Sequence, residues 1–182
     1  MASVAILLDQ DYEDSEFEVP VSKLRDAGHT VKVVGSQAGQ NLVGKKKKSS
    51  TVVELAAKDV DVSQFSALVI PGGYSPDHLR TDESVVALVE GAARANTLIA
   101  AVCHGPSLLI EAELCRGLRV TSWPSIRKDL VNAGAHWEDE PVVRDGNVVT
   151  SRKPEDLPAF SEAILSLLAS FSPENAGHSV AE

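Results

Sequence analysis

Cys103 and His104 stand side by side where the apolar run Leu98-Ile99-Ala100-Ala101-Val102 meets Cys103-His104-Gly105-Pro106. A short apolar run bounded by turn residues is the pattern of a strand buried on both faces. The cysteine therefore falls at a strand end, ahead of the helix expected over 105–115. Ala101 two residues before it and Gly105 two after repeat the spacing of the nucleophile elbow, where tight strand-to-helix packing excludes larger side chains. Cys103 takes the nucleophile's place. The positive end of the following helix favours thiolate, so an unusually acidic thiol is expected. The competing reading is a buried structural cysteine, since free Cys is among the most buried residue types. Cys115, at the end of the same helix beside Arg116, has only that second reading.

A thiol that attacks a carbonyl needs donors for the oxygen that becomes charged. Pro71-Gly72-Gly73 ends another apolar run, Ala67-Leu68-Val69-Ile70. The backbone N–H groups of Gly73 and of His104 are the candidate donors. A Gly-Gly pair alone says little, because any strand-ending turn can use one. Two cysteines without Cys-x-x-Cys or Cys/His ligand spacing build neither a disulfide framework nor a metal site. Reduced thiols, no metal and no cofactor are expected.

The elements that must position these residues alternate. Strands are expected at 4–8, 30–34, 67–70 and 98–102, the first and last as continuous apolar runs. A helix is expected over 15–27, with Asp14 as its N-cap, Gly28 as its stop, and Pro20 in its first turn or at a kink. Further helices are expected over 82–95, 105–115 and 125–133, and after Pro154. Residues 41–55 suggest a small hairpin around a Gly-Lys turn, and 142–150 a second one around Asp145-Gly146. Strands alternating with helices imply right-handed crossovers and a mostly parallel sheet. Open sheets of this kind bind ligands beyond the carboxyl ends of their strands, where Cys103 lies.

The 182 residues are 43% hydrophobic and 24% charged, an ordinary balance for one globular domain. A single domain over 1–171 is expected, followed by a flexible tail over 172–182 that lacks periodicity. The formal charge of -9 argues against a surface that tracks nucleic-acid phosphates. The run Lys45-Lys46-Lys47-Lys48 is the exception, and reads as a solvated turn. No apolar stretch is long enough to span a bilayer and no secretory signal leads the chain, so a cytoplasmic location is expected.

Taken together, several separated motifs resemble those of the PfpI-type intracellular proteases and general stress proteins, relatives of the Parkinsonism-associated deglycase and of class I glutamine amidotransferase domains. These are Tyr12-Glu13-Asp14-Ser15-Glu16, Ala27-Gly28-His29, Pro71-Gly72-Gly73 with Ser75-Pro76-Asp77, Val102-Cys103-His104-Gly105-Pro106, Thr121-Ser122-Trp123-Pro124, Asn132-Ala133-Gly134-Ala135 and Thr150-Ser151-Arg152. The resemblance spans nearly the whole chain. It implies a flavodoxin-like three-layer α/β sandwich and a homo-oligomer with active sites at subunit interfaces. It also implies roles: Glu13 bonded to the Cys103 sulfur, His104 as general acid or base, and Asp77 reaching the His104 of a neighbouring subunit. Asp77 stands where some members have Glu, one methylene shorter. Read from the residues alone, Glu13 and Asp77 are equally suited to capping turns, and His104 to a helix start.

Three functions compete. Thiolate addition to a small reactive carbonyl, followed by proton transfers, would be glyoxalase-like or deglycase-like chemistry. An acyl-enzyme formed on a peptide would make the chain a cysteine peptidase. An oxidisable thiol without turnover would make it a redox-sensing or protective stress protein.

Overall fold

The computed structural model describes residues 1–170. In chain order its elements are β1 (Ser3–Leu7), α1 (Asp14–Asp26), β2 (Thr30–Gly35), the short strands β3 (Asn41–Val43), β4 (Ser50–Val52) and β5 (Leu55–Ala56), then β6 (Ala67–Ile70), α2 (Ser75–Leu79), α3 (Glu83–Arg94), β7 (Leu98–Val102) and α4 (Ser107–Glu111). They continue as β8 (Arg119–Val120), α5 (Arg127–Asn132), β9 (His136–Trp137), β10 (Val142–Asp145), β11 (Val148–Ser151) and α6 (Leu157–Ser170). The main sheet has the order β10-β11-β7-β6-β1-β2-β5. Every pairing in it is parallel except β10 with β11.

The strands alternate their side chains between two apolar layers, as the period of two requires. Val4, Ile6, Val69, Ala100 and Val102 face a core completed by Phe17, Val21 and Leu24 of α1 and by Phe160 and Ile164 of α6. Ala5, Leu7, Leu68, Ile70, Ile99 and Ala101 face the opposite core, completed by Val85 and Val89 of α3, Leu108 and Leu109 of α4, and Leu130 of α5. The result is the expected three-layer α/β sandwich. No helix among the described residues is long and apolar enough to cross a membrane. The boundary expected at 171 and the tail over 172–182 lie outside the described residues.

Local expectations needed three corrections. Asp14 does not cap α1: Glu13 occupies the N-cap without a side-chain cap bond, and Asp14 turns elsewhere. Pro20 lies well inside α1 rather than in its first turn. The helix expected over 105–115 is only the five residues of α4, which starts four residues beyond Cys103. The Gly105-Pro106 pair and the tight bond from the Gly105 N–H to the Val102 carbonyl, 2.8 Å, hold the chain in turns until Ser107.

Candidate active site

Parallel strands β6 and β7 lie side by side and end together, Ile70 opposite Ala101, so the turn 71–73 and Cys103 emerge at one edge. The loop after β1 joins them. Tyr12 forms an antiparallel bridge with Gly73, the Glu13 N–H donates to the Gly72 carbonyl at 3.2 Å, and the Tyr74 N–H donates to the Asp11 carbonyl at 2.9 Å. Neither glycine tolerates a side chain. A Cβ on Gly72 would stand 2.6 Å from Glu16 Oε2 and 2.7 Å from Cys103 Cβ, and one on Gly73 would stand 2.5 Å from the Asp11 carbonyl oxygen.

Cys103 sits at φ 63°, the left-handed region that costs an L-residue roughly 1–2 kcal/mol. Its neighbours enforce that shape. The Cys103 N–H donates to the Ser151 carbonyl of β11, and the Cys103 carbonyl accepts from the Trp123 N–H, both at 3.0 Å. A Cβ on Gly105 would press on the carbonyl oxygen of Ile70, so the small residue of the elbow is required. The cysteine is only 8% exposed. The backbone N–H groups of Gly73 and His104, expected as donors to a substrate oxygen, both bond towards its sulfur.

The carboxyl beside the sulfur is Glu16. It is fully buried, its Oε2 accepts from the Gly72 N–H at 2.8 Å, and it is close enough to Cys103 for each side chain to shift the other's titration by hydrogen bonding and charge. Burial, the largest influence, pushes the Glu16 carboxyl up to about 7, the Gly72 N–H pulling the other way. Burial and the charge of Glu16 push the Cys103 thiol up to about 12, against the two backbone N–H groups. The expectation of a thiol made acidic by a helix end is therefore corrected: α4 is too short and too distant, and the surroundings are dry.

Two groups coupled this closely titrate as a unit. With the two values at about 7 and about 12, the pair loses its first proton near pH 7 and holds a single negative charge above that. Hydrogen bonding decides where that charge rests. The sulfur accepts from two backbone N–H groups, whereas Glu16 Oε1 is buried with no hydrogen-bond partner. A proton on Oε1 would turn that orphan acceptor into a donor, and the two N–H groups at the sulfur favour charge there.

Glu13, assigned to the sulfur by resemblance, is placed differently. Its oxygens pair with Lys45 Nζ at 2.8 Å and Lys46 Nζ at 2.6 Å. Burial alone would raise its pKa, but the bonds and charges of the two lysines together hold it below the ordinary value. A carboxylate so held is a poor proton donor to a thiolate. The physical reason lies in helical spacing: Glu16 shares the buried face of α1 with Phe17, Pro20, Val21 and Leu24, and points under the turn 71–73, while Glu13 at the N-cap faces the loop between β3 and β4.

That loop carries the lysine run, which is not merely a solvated turn. The Asp14 carboxylate accepts from the N–H groups of Lys46, Lys48 and Ser49, each at 2.9 Å, and from the Ser49 hydroxyl at 3.1 Å. Asp14 and Glu13 thus anchor the loop and bring Lys45 to the wall of a cavity of about 360 Å³ that Gly73, Tyr74, Asp77, Arg80 and His104 also line.

The His104 ring stands over the sulfur, Nδ1 3.4 Å from Cys103 Sγ and Nε2 3.0 Å from Ser125 Oγ. Burial first, and the charge of Lys45 second, lower its pKa against the opposing charge of Asp77, which favours the neutral ring. Within one chain Asp77 shares the cavity with His104 and acts on it through charge. The second cysteine, Cys115, is buried in the opposite core layer, where burial pushes its thiol up to about 11.

Sequence reasoning passed over Glu16, Lys45 and Ser125. Only Glu16 left a legible signal, an acid in phase with Phe17, Val21 and Leu24 on an otherwise apolar helix face.

Comparison with known proteins bears on the family and the fold. The family model described as DJ-1/PfpI family matches residues 2–167. Protein/nucleic acid deglycase 2 of Escherichia coli is 42% identical over 91% of this chain and 96% of its own length. General stress protein 18 of Bacillus subtilis is 40% identical over 91% of this chain and 96% of its own length. A crystal structure from Anabaena variabilis, a two-domain protein with DJ-1/ThiJ/PfpI-like and ferritin-like domains, superposes with a TM-score of 0.92 at 42% identity, covering 99% of this chain and 52% of that one. A cysteine on a strained elbow beside a buried acid, on a sheet of this order and with relatives of this closeness, leads to one conclusion: the chain belongs to the DJ-1/PfpI family.

Proposed function

We propose that this chain is a cysteine-dependent enzyme of the stress response that acts on small reactive carbonyl compounds in a glyoxalase-like or deglycase-like manner. The observation that carries this reading is the buried carboxyl of Glu16, held by the Gly72 N–H beside the Cys103 thiol, which sets an acid next to the reacting sulfur. The names of the deglycase and stress-protein relatives support it.

With an α-oxoaldehyde the thiolate adds to the aldehyde carbon, forming the C–S bond of a hemithioacetal while the carbonyl oxygen takes up negative charge. The N–H groups of Gly73 and His104, which bond the sulfur in the free protein, would turn to that oxygen as the sulfur gives up its charge, and the Glu16 proton neutralises it. Moving the hydrogen of the former aldehyde carbon to the neighbouring ketone carbon, with proton transfer through the carboxylate, gives a 2-hydroxy thioester. Water then cleaves the C–S bond, releasing the 2-hydroxy acid and restoring thiol and carboxyl. No external oxidant or reductant is consumed.

A cavity of about 360 Å³ suits a molecule of a few carbons better than an extended peptide, which favours this reading over a peptidase. The deciding experiment is a parallel assay of methylglyoxal and casein with wild type and Cys103→Ser. Formation of 2-hydroxy acid by wild type alone supports the proposal. Casein cleavage without hydroxy-acid formation replaces it with the peptidase reading.

The redox reading keeps one specific support. A sulfinate on Cys103, formed by two successive transfers of oxygen from peroxide, would find the Gly73 and His104 N–H groups and the Glu16 proton around it. Cys115 faces the opposite layer and is badly placed to resolve a sulfenic acid.

A further inference from the structure

The His104 ring meets a side chain at each nitrogen, Cys103 Sγ at Nδ1 and Ser125 Oγ at Nε2, at 3.4 and 3.0 Å. Ser125 lies in the turn Pro124–Ile126, and the residue before that turn, Trp123, donates its N–H to the carbonyl of Cys103. The hydroxyl is thus carried by a loop fastened to the nucleophile's own backbone. Three charged groups share the cavity with the ring, Lys45, Asp77 and Arg80, and the ring's side-chain hydrogen bonds go instead to Cys103 and Ser125. A neutral ring has one N–H, and the partner of one nitrogen decides where that proton sits.

We propose that Ser125 is a positioning residue: its hydroxyl donates to Nε2 of His104, which confines the ring proton to Nδ1 and aims that N–H at the sulfur of Cys103. The sulfur then receives a third N–H beside those of Gly73 and the His104 backbone. In the other tautomer the bare lone pair of Nδ1 would face the thiolate and repel it. No proton leaves the ring in this role, so the bond acts before chemistry starts, by stabilising the attacking form of the thiol. The inference rests on the reading of Cys103 as the reacting thiol, but not on what that thiol attacks.

Ser125 is exposed, so removing its hydroxyl leaves the core untouched. The test compares wild type, Ser125→Ala and Ser125→Thr by two substrate-free readouts. In nitrogen-15 NMR of histidine-labelled protein, with the His104 signals identified by their loss in His104→Gln, wild type should carry its proton on Nδ1. Ser125→Ala should shift the proton to Nε2, and Ser125→Thr, which keeps a hydroxyl, should restore it. Alkylation of Cys103 by iodoacetamide at pH 7 should fall about fivefold in Ser125→Ala, the worth of one ordinary hydrogen bond, and recover in Ser125→Thr. Wild-type His104 protonated on Nε2 would overturn the proposal, as would a Ser125→Ala protein whose tautomer and alkylation rate match wild type. The tautomer shift observed in a protein that turns over no α-oxoaldehyde would uphold this role for Ser125 and defeat the function proposed above.

Discussion

The N–H of Gly72 donates to Oε2 of Glu16 at 2.8 Å, which ties a carboxyl on the buried face of α1 to the turn that ends β6. The same glycine lies against Cys103 Cβ, so the thiol and the acid are held on either side of one residue that has no room for a side chain.

Gly72→Ala should therefore damage the site and the fold together. Its Cβ would meet Glu16 and Cys103 well inside van der Waals contact, and overpacking of this kind costs about 2 kcal/mol or more. Urea denaturation should show that loss, with slower alkylation of Cys103 in the protein that remains folded. A variant as stable and reactive as wild type would mean that the turn is slack.

The pH dependence of stability isolates Glu16. Its carboxyl titrates at about 7 in the folded chain against an ordinary 4.5, so between those values the native state holds a proton that the unfolded chain has lost. The contribution is complete below about pH 4.5 and disappears as the pH rises through 7, a change of about 3 kcal/mol. Glu13, whose folded pKa is lowered, works in the opposite sense and loses its contribution as the pH falls. Subtracting the curve of Glu16→Gln from that of wild type cancels Glu13 and the rest. The difference should fall by about 3 kcal/mol from pH 4 to pH 8, and a flat difference would place the carboxyl in water.

Asp14→Ala should release the lysine loop. Four hydrogen bonds to one buried carboxylate are lost, and about 3 kcal/mol is expected from charge-assisted bonds of this kind after partial rehydration. Limited trypsin digestion should then cut after Lys45–Lys48 in the variant well before wild type. Equal cutting rates would show that the loop opens regardless of Asp14.

The apolar runs were enough to place β1, β2, β6 and β7 and the layers around them, because strands buried on both faces write their burial directly into composition. The elbow was legible from its small residues, and at Gly105 the carbonyl oxygen of Ile70 leaves no room for a side chain. The acid was misplaced because Glu13 and Glu16 share one motif, and only the phase of α1 separates the residue facing the lysines from the one beneath the thiol. The lysine run is an exposed turn as expected, but its charge could not reveal that its backbone N–H groups at Lys46 and Lys48 bind Asp14 while two of its side chains pair with Glu13. The helix end was misjudged as the source of acidity at Cys103 because the helix was counted from composition, while Pro106 and the turns before Ser107 leave α4 short and the sulfur's environment dry.

The most direct test of the account is the pH profile of Cys103 alkylation by iodoacetamide, read by peptide mass spectrometry in wild type, Glu16→Leu and Glu13→Leu. In wild type, Cys103 should react at least about 100-fold faster than Cys115 at pH 7.5, with a midpoint near 7, where the Cys103–Glu16 pair loses its first proton. Glu16→Leu should lose at least about tenfold at that pH and move its midpoint above the ordinary thiol value of 9.0, because burial remains and the shared proton is gone. Glu13→Leu should keep the wild-type midpoint. A wild-type midpoint above 9, or a profile that shifts with Glu13 and not with Glu16, would contradict the pairing of Cys103 with Glu16.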